Sequence, residues 1–452
     1  MSDRGHVDTL AAIATAPGRG AVGILRLSGP AAFDIATQLC GSLPDPRRAA
    51  LRTFRDAAGA HCDRGLVLCF EAGASYTGER MVELHTHGSP AVLDLLLQAA
   101  CARGARIARP GEYTERAFLA GRLDLAQAEA VADLIDAGSR AAVLAAHRAL
   151  EGEFSRQVQD LATRLMDLRV FVEGALDFSD EDIDWLSDEQ LAVGLAEADT
   201  RIRDVLAQAQ QGRRLRDGLV VAIAGRPNVG KSTLLNTLSR TDAAIVSPQP
   251  GTTRDLLREH LDLDGLPLTL IDTAGLRDTD DAIENEGIRR AWQALARAEL
   301  VLFVVDDREG VTPEDHALIA RLPQGPEHLL IFNKCDLSGA AAGAIQSEGQ
   351  PGLRISASDG AGLDTLRAAI RARAGLDDRM EGTYIARARH LDALRQAQQH
   401  LAEARTALAT PGTAEIAAEE LRCAQQALGR ITGEVSTEDL LGAVFSRFCI
   451  GK

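Results

Sequence analysis

Four short stretches of this chain combine residue types that handle phosphate and purine chemistry. Gly225-Arg226-Pro227-Asn228-Val229-Gly230-Lys231-Ser232 fits GxxxxGK followed by Ser or Thr. Its glycines let successive backbone N–H groups close round phosphate oxygens, and the helical run opening at Thr233 adds positive potential. Lys231 can reach the β- and γ-phosphates, and Ser232 can ligate Mg²⁺. Asp272-Thr273-Ala274-Gly275 follows the apolar run Leu268–Ile271. A carboxylate there suits a magnesium-bound water, and a glycine N–H suits the γ-phosphate. Asn333-Lys334-Cys335-Asp336 closes another apolar run, Leu329–Phe332. Ionised Asp336 can accept from guanine N1–H and N2–H₂. Adenine offers neither in that arrangement, which would leave a buried carboxylate unpaired. Ser356-Ala357, after a further short strand, suits a backbone contact to the base oxygen.

These four motifs in this order resemble the GTPases of the translation-factor class, so GTP is expected rather than ATP. Two details go further. Small signalling GTPases carry a water-orienting glutamine after the second motif; here that position is Leu276, which cannot hydrogen-bond water. Either hydrolysis is slow or another polar group orients the water, with Glu284 and Glu286 as nearby candidates. Asn228 lies within the phosphate loop, and the stretch from Ala244 to Asp255 is rich in polar side chains. A side-chain amide oxygen with backbone carbonyls could hold a monovalent cation beside the phosphates, replacing an arginine finger. The plainer reading is an Asn that caps a turn.

The elements that must position these residues follow from patterning. The chain has 452 residues, with 65 acidic against 49 basic side chains, for a formal charge of −16. That balance argues against a broad nonspecific nucleic-acid footprint. Aromatic residues make up 4%, so the cores are aliphatic. The length suggests about three domains. Residues 1–120 alternate strand-like and helical runs, including Ala21–Leu27 and Leu66–Phe70, as in an α+β domain. Residues 121–216 turn Ala/Leu-rich; Leu161, Leu165, Leu168, Val172 and Leu176 mark one face of a long helix. Residues 217–380 alternate β and α, the pattern of a parallel sheet with crossover helices, and residues 381–452 are helical again. One discontinuous helical domain with an inserted α/β domain accounts for this order.

No apolar run reaches the ~18 residues of a membrane span, and the start lacks the apolar stretch of a signal peptide. The seven cysteines are scattered without a CxxC, so a disulfide framework or zinc finger is not expected and a reducing cytoplasm is. His85 and His87 share one face of a strand-like run with no third metal ligand evident, and are read as structural. The acidic segment Asp177 to Glu189 reads as a solvated loop, or as a docking site for a basic partner.

GRPNVGKST, PGTTRD and DTAGLRDTDDAIENEGI are joined by the opening DTLAAIATAPGRGAVGILRLSGP, by YTGERMVELHTHGSPAVLDLLL and RPGEYTERAFLAGRLDLAQAEAVADLIDA, and by the terminal FCIGK. Together they resemble the MnmE (TrmE) family of tRNA-modification GTPases over almost the whole chain. The resemblance implies an α+β N-terminal folate-binding and dimerisation domain, a discontinuous all-α helical domain and an inserted Ras-like P-loop GTPase domain. It implies a cytoplasmic homodimer whose G domains meet when K⁺ and GTP are bound. It further implies a complex with the FAD-dependent protein MnmG (GidA), a heterotetramer, that modifies C5 of the wobble uridine of certain tRNAs. The one-carbon donor would be 5-formyltetrahydrofolate or methylenetetrahydrofolate.

Carried over by position, GTP contacts fall on Asn228, Val229, Gly230, Lys231, Ser232, Thr233, Ser247, Thr252, Thr253, Asp272, Thr273, Ala274, Gly275, Asn333, Lys334, Asp336, Ser356 and Ala357. K⁺ falls to Asn228, Ser247, Gln249 and Thr252, and Mg²⁺ to Ser232 and Thr253. Glu284 matches the catalytic glutamate that positions water. Folate falls to Arg26, Glu83, Arg122 and Lys452; some members have lysine at position 122, and arginine keeps the charge while changing its geometry. Cys449 matches the C-terminal cysteine, read either as a nucleophile or as a packed thiol. Two rival readings are an RNA-binding ribosome-assembly GTPase switch and an N-terminal domain that is only a dimer scaffold.

Overall fold

The computed structural model describes residues 8–451 except 178–188, 242–257, 264, 273–294, 297, 324–325, 348, 375–382, 411, 436–437, 447 and 450. The chain divides into two compact units, Met1–Ala132 with Leu428–Lys452, and Asp133–Ala427.

The N-terminal part runs β1 (Thr9–Ile13), β2 (Gly20–Ser28), α1 (Ala32–Cys40), β3 (Ala50–Arg55), β4 (His61–Phe70), β5 (Met81–Gly88), α2 (Pro90–Ala102), β6 (Ala105–Ile107), α3 (Glu112–Leu119) and α4 (Leu125–Asp136). Its sheet has the order β3-β4-β5-β2-β1-β6. Strand alternation sorts the two faces. Leu25, Leu27, Val82 and Leu84 point to one face and pack with Ile35, Leu39 and Leu96 of α1 and α2. Arg26 and Glu83, one residue out of step with those leucines and valine, lie on the other face and are direct cross-strand partners.

The chain continues with α5 (Arg140–Leu150), α6 (Glu153–Asp177), α7 (Glu189–Asp217), β7 (Leu219–Ala224), α8 (Lys231–Thr241), β8 (Arg258–Leu263), β9 (Leu266–Asp272), β10 (Leu300–Asp306), α9 (Pro313–Ala320), β11 (Glu327–Asn333), α10 (Cys335–Ser338), β12 (Gly343–Ser347), β13 (Gln350–Arg354), α11 (Leu363–Arg373), α12 (Ala388–Leu408), α13 (Ala414–Thr432) and α14 (Glu438–Phe445). The second sheet has the order β12-β13-β11-β10-β7-β9-β8. Its centre is parallel, and its two edge pairs are antiparallel. β10 is buried along its whole length. Leu300, Leu302 and Val304 join the core on one face, and Val301, Phe303 and Val305 that on the other. A parallel strand covered on both sides needs such an unbroken apolar run.

The helical stretches before and after this sheet pack on each other. Tyr384 stacks on Phe154 of α6 with ring centroids 4.6 Å apart, and its hydroxyl donates to Gln157 Oε1 at 3.1 Å. Arg216 at the end of α7 and Arg387 before α12 both grip the Asp133 carboxylate, at 2.7 and 2.8 Å. Within Asp133–Ala427 the helices on the two sides of the sheet segment therefore pack together, as a discontinuous helical domain with an inserted α/β domain requires, while Leu428–Lys452 groups with the N-terminal unit. No helix among the described residues is long and apolar enough to cross a membrane.

Candidate nucleotide site

The site forms at the C-terminal ends of adjacent parallel strands, where open α/β sheets place their ligands. β7 ends at Ala224 and leads into Gly225, whose φ is +138°. A Cβ there would lie 2.2 Å from the Val304 carbonyl of β10, so the loop can leave the sheet this closely only with glycine. Gly230 closes the loop at φ +98°, and α8 starts at Lys231. Lys231 is 7% exposed, and its ammonium donates to the Gly225 and Arg226 carbonyls at 2.8 and 2.7 Å. It is thus folded back over the loop whose backbone would surround a phosphate.

Three side chains fix the loop, two from outside it and one from within. Asn333, the last residue of β11, donates from Nδ2 to the Val229 carbonyl at 2.9 Å and accepts from the Ala357 N–H at 2.9 Å. Lys334 adopts φ +70° and donates to the Asn228 carbonyl at 2.6 Å and to Asp306 Oδ2 at 2.9 Å. Arg226 donates to Asp315 Oδ1 at 3.0 Å and to Glu309 Oε2 at 2.7 Å. Asp315 in turn forms a capping box with Thr312 at the start of α9.

Asp336 and Ser356 meet, with the Ser356 hydroxyl donating to Asp336 Oδ1 at 2.7 Å. One oxygen of the candidate base-reading carboxylate is thereby oriented. The end of β9 at Asp272 is paired with Ile223 of β7, the strand that leads into the phosphate loop. The structure thus brings together Asn228, Val229, Gly230, Lys231, Asn333, Lys334, Asp336, Ser356 and Ala357; Ser232 and Thr233 open α8 alongside them. Ser247, Gln249, Thr252, Thr253, Thr273, Ala274, Gly275, Glu284 and Lys452 lie outside the described residues, as does most of the acidic segment before α7.

A second polar cluster sits on the face of the N-terminal sheet opposite α1 and α2, beside the buried Tyr113 of α3. Arg26 donates from Nε and Nη2 to Glu83 Oε1 at 3.0 and 2.8 Å. Its Nη1 is 3.5 Å from the Gly451 carbonyl. The Tyr113 hydroxyl donates to the Arg26 carbonyl at 2.7 Å, and the Arg26 guanidinium lies 5.7 Å from the Tyr113 ring centre. His85 Nε2 is 3.2 Å from Glu83 Oε2, while His87 pairs with Asp63 at 2.8 Å. Each imidazole therefore has its own carboxylate, as a structural reading of the pair requires. Arg122 is exposed, and no hydrogen bond or ion pair among the described residues joins it to Arg26 or Glu83. The Cys449 thiol is exposed, and its carbonyl accepts from the Gly111 N–H at 3.3 Å.

Two family models cover the chain: the MnmE helical domain over residues 125–449 and the GTP-binding protein TrmE N-terminus over residues 9–122. A tRNA modification GTPase MnmE of Methylococcus capsulatus is 52% identical over 445 residues, 98% of this chain and 99% of that protein. The MnmE proteins of Nitrosococcus oceani and Chromohalobacter salexigens are each 50% identical, covering 98% of this chain and 97% and 98% of theirs. The chain belongs to the MnmE family of tRNA modification GTPases. It is a GTP hydrolase acting in tRNA modification, on a P-loop fold.

Within this MnmE-family chain, two supports of the site were not singled out from sequence. Asp306 ends β10 and accepts from Arg308 and Lys334. Those hydrogen bonds, Arg308 first, hold its carboxyl well below the usual range against the opposing effect of burial. The signal was a carboxylate at the end of a fully apolar strand, in register with Asn333. Arg226 was the other: a charged residue in a loop otherwise built for backbone contacts.

Proposed function

We propose that this chain is a K⁺-dependent GTPase that works as a cytoplasmic homodimer in wobble-uridine modification. It does so with tRNA, the FAD-dependent partner MnmG (GidA) and a tetrahydrofolate one-carbon donor. Residues 1–120 bind folate and dimerise, 121–216 and 381–452 form the helical domain, and 217–380 form the G domain. Family membership supports the tRNA and GTP parts of this reading.

The observation that carries the cation is Asn228, exposed in the phosphate loop at φ +64° with its carbonyl held by Lys334. An amide oxygen on a backbone fixed in this way is the donor type a monovalent ion needs. Asn228, Ser247, Gln249 and Thr252 would hold K⁺, and Ser232 with Thr253 would hold Mg²⁺. These ions supply positive charge against the phosphate charge that develops during hydrolysis. Lys231 leaves its loop carbonyls for phosphate oxygens, Asp336 selects guanine, and Glu284 orients the attacking water in place of Leu276.

The Arg26–Glu83 pair fits a ligand bearing both an acid and hydrogen-bond donors. Arg122 and Lys452 would add positive charge toward a folate's glutamate tail, and Cys449 stands as the candidate nucleophile.

Hydrolysis is expected to be faster in KCl than in NaCl at equal ionic strength; equal rates would discard the cation site. Glu284→Ala is expected to keep GTP binding while turnover falls about 10² to 10³-fold. Labelled 5-formyltetrahydrofolate is expected to bind the wild type saturably and Arg26→Ala weakly. No saturable binding to the wild type would remove the folate assignment.

A further inference from the structure

We propose that His400, Glu403 and Glu420 form a binding site for a divalent transition-metal ion, Zn²⁺ above all, that clips α12 to α13. The site is independent of the nucleotide and folate readings.

His400 and Glu403 are three residues apart on α12, the spacing that puts two side chains on one helix face. Glu420 comes from α13, which runs back after a short connection. His400 Nδ1 lies 2.6 Å from Glu420 Oε2 and 3.9 Å from Glu403 Oε2. All three donor atoms fall within 4.8 Å of one another. Tetrahedral zinc with bonds of about 2.0–2.1 Å sets its ligand atoms about 3.3 Å apart. The observed separations straddle that value, so small side-chain rotations suffice to receive the ion.

A plain histidine–carboxylate hydrogen bond explains Glu420 but not the approach of Glu403 to the same nitrogen. Glu403 is directed at the same nitrogen, and its other oxygen accepts from Gln399 Nε2 at 2.9 Å. That contact orients the carboxylate as an outer-shell partner orients a metal ligand. The donor set also chooses the metal. One imidazole nitrogen with two carboxylate oxygens suits zinc and its neighbours, whereas magnesium and calcium take oxygen ligands alone. The three side chains are 32%, 48% and 21% exposed, which leaves room for a water as the fourth ligand.

The test uses the full chain saturated with Mg²⁺ and GDP, so that the nucleotide site is filled. Zn²⁺ titrated by calorimetry is expected to bind at one equivalent and to raise the melting temperature. His400→Ala and Glu420→Gln are each expected to weaken binding by about tenfold or more and to abolish the thermal shift. Circular dichroism and retained GTPase activity show that the variants are folded. Co²⁺ is expected to give a visible band without thiolate charge transfer. No binding to the wild type, binding unchanged in both variants, or a thiolate band pointing to Cys423 three residues beyond Glu420 would each overturn the site.

Discussion

The Asn333 side-chain amide donates to the Val229 carbonyl at 2.9 Å, joining residues 104 positions apart in the chain. The same side chain accepts from the Ala357 N–H, so one residue couples the phosphate loop to the Ser356–Ala357 loop. A Cβ on Gly230 would fall 2.2 Å from this amide nitrogen, so the glycine and the asparagine require each other. Asn333→Ala would leave a loop carbonyl and a buried N–H without partners. At about 1–3 kcal/mol for each group so stranded, GDP affinity is expected to fall at least tenfold. Titration with a fluorescent GDP analogue measures this. Unchanged affinity would mean that the two loops hold their positions without the bridge.

Asp336 gives a specificity prediction. Ser356 donates to one oxygen of its carboxylate at 2.7 Å, so removing that hydroxyl should loosen base recognition without abolishing it. Asp336→Asn should instead change the preferred base. The new amide presents a donor where guanine also presents one, whereas xanthine presents a carbonyl there. The expected result is a loss of GTP affinity by about 10²-fold or more with a gain for xanthosine triphosphate. A competition assay with both nucleotides decides it, and equal loss of both would place Asp336 away from the base.

The legible parts of this molecule are those whose chemistry is local. The phosphate loop, the Asn333–Asp336 tetrapeptide and their strands could be read because each motif directly follows its own apolar run. The fully apolar β10 could be read from its unbroken run of apolar residues alone. The clamp of Asp133 by Arg216 and Arg387 could not, because an ion pair between residues as far apart as 133 and 387 leaves no mark in local periodicity. The pairing of Arg26 with Glu83 stayed hidden for a related reason. Sequence pattern gives the face of a strand, but not the register between β2 and β5.

Asp306 carries a pH prediction. Its folded carboxyl is held below the ordinary carboxylate range, chiefly by Arg308, with burial opposing and Lys334 assisting. A depressed folded value means stability that is fully present above the unfolded value of about 4 and is lost as pH falls through the lower folded one. Asp306→Asn should therefore unfold at lower urea concentration than the wild type at pH 7. The gap should hold down to about pH 5 and shrink as pH drops below about 4. A gap that stays constant across that lower range would show that the carboxylate charge does not stabilise the fold.

Two helical glycines should respond in opposite directions to the same substitution. Alanine is favoured over glycine inside a helix by about 0.8–1 kcal/mol, so propensity alone predicts stabilisation at both Gly174 in α6 and Gly212 in α7. At Gly174 an added Cβ meets nothing within 4 Å, and the propensity gain should appear in full. At Gly212 it would lie 1.8 Å from the Tyr384 carbonyl oxygen and 3.2 Å from the Ala386 nitrogen, both backbone atoms. Tyr384 cannot easily retreat, because its ring is stacked on Phe154 and its hydroxyl is bonded to Gln157. Overpacking of this kind costs about 1–3 kcal/mol or more, which outweighs the propensity term. Melting curves should therefore rise for Gly174→Ala and fall by several degrees for Gly212→Ala. A rise for both would mean that the segment around Tyr384 can lift off α7, and that its packing does not hold the two helical stretches together.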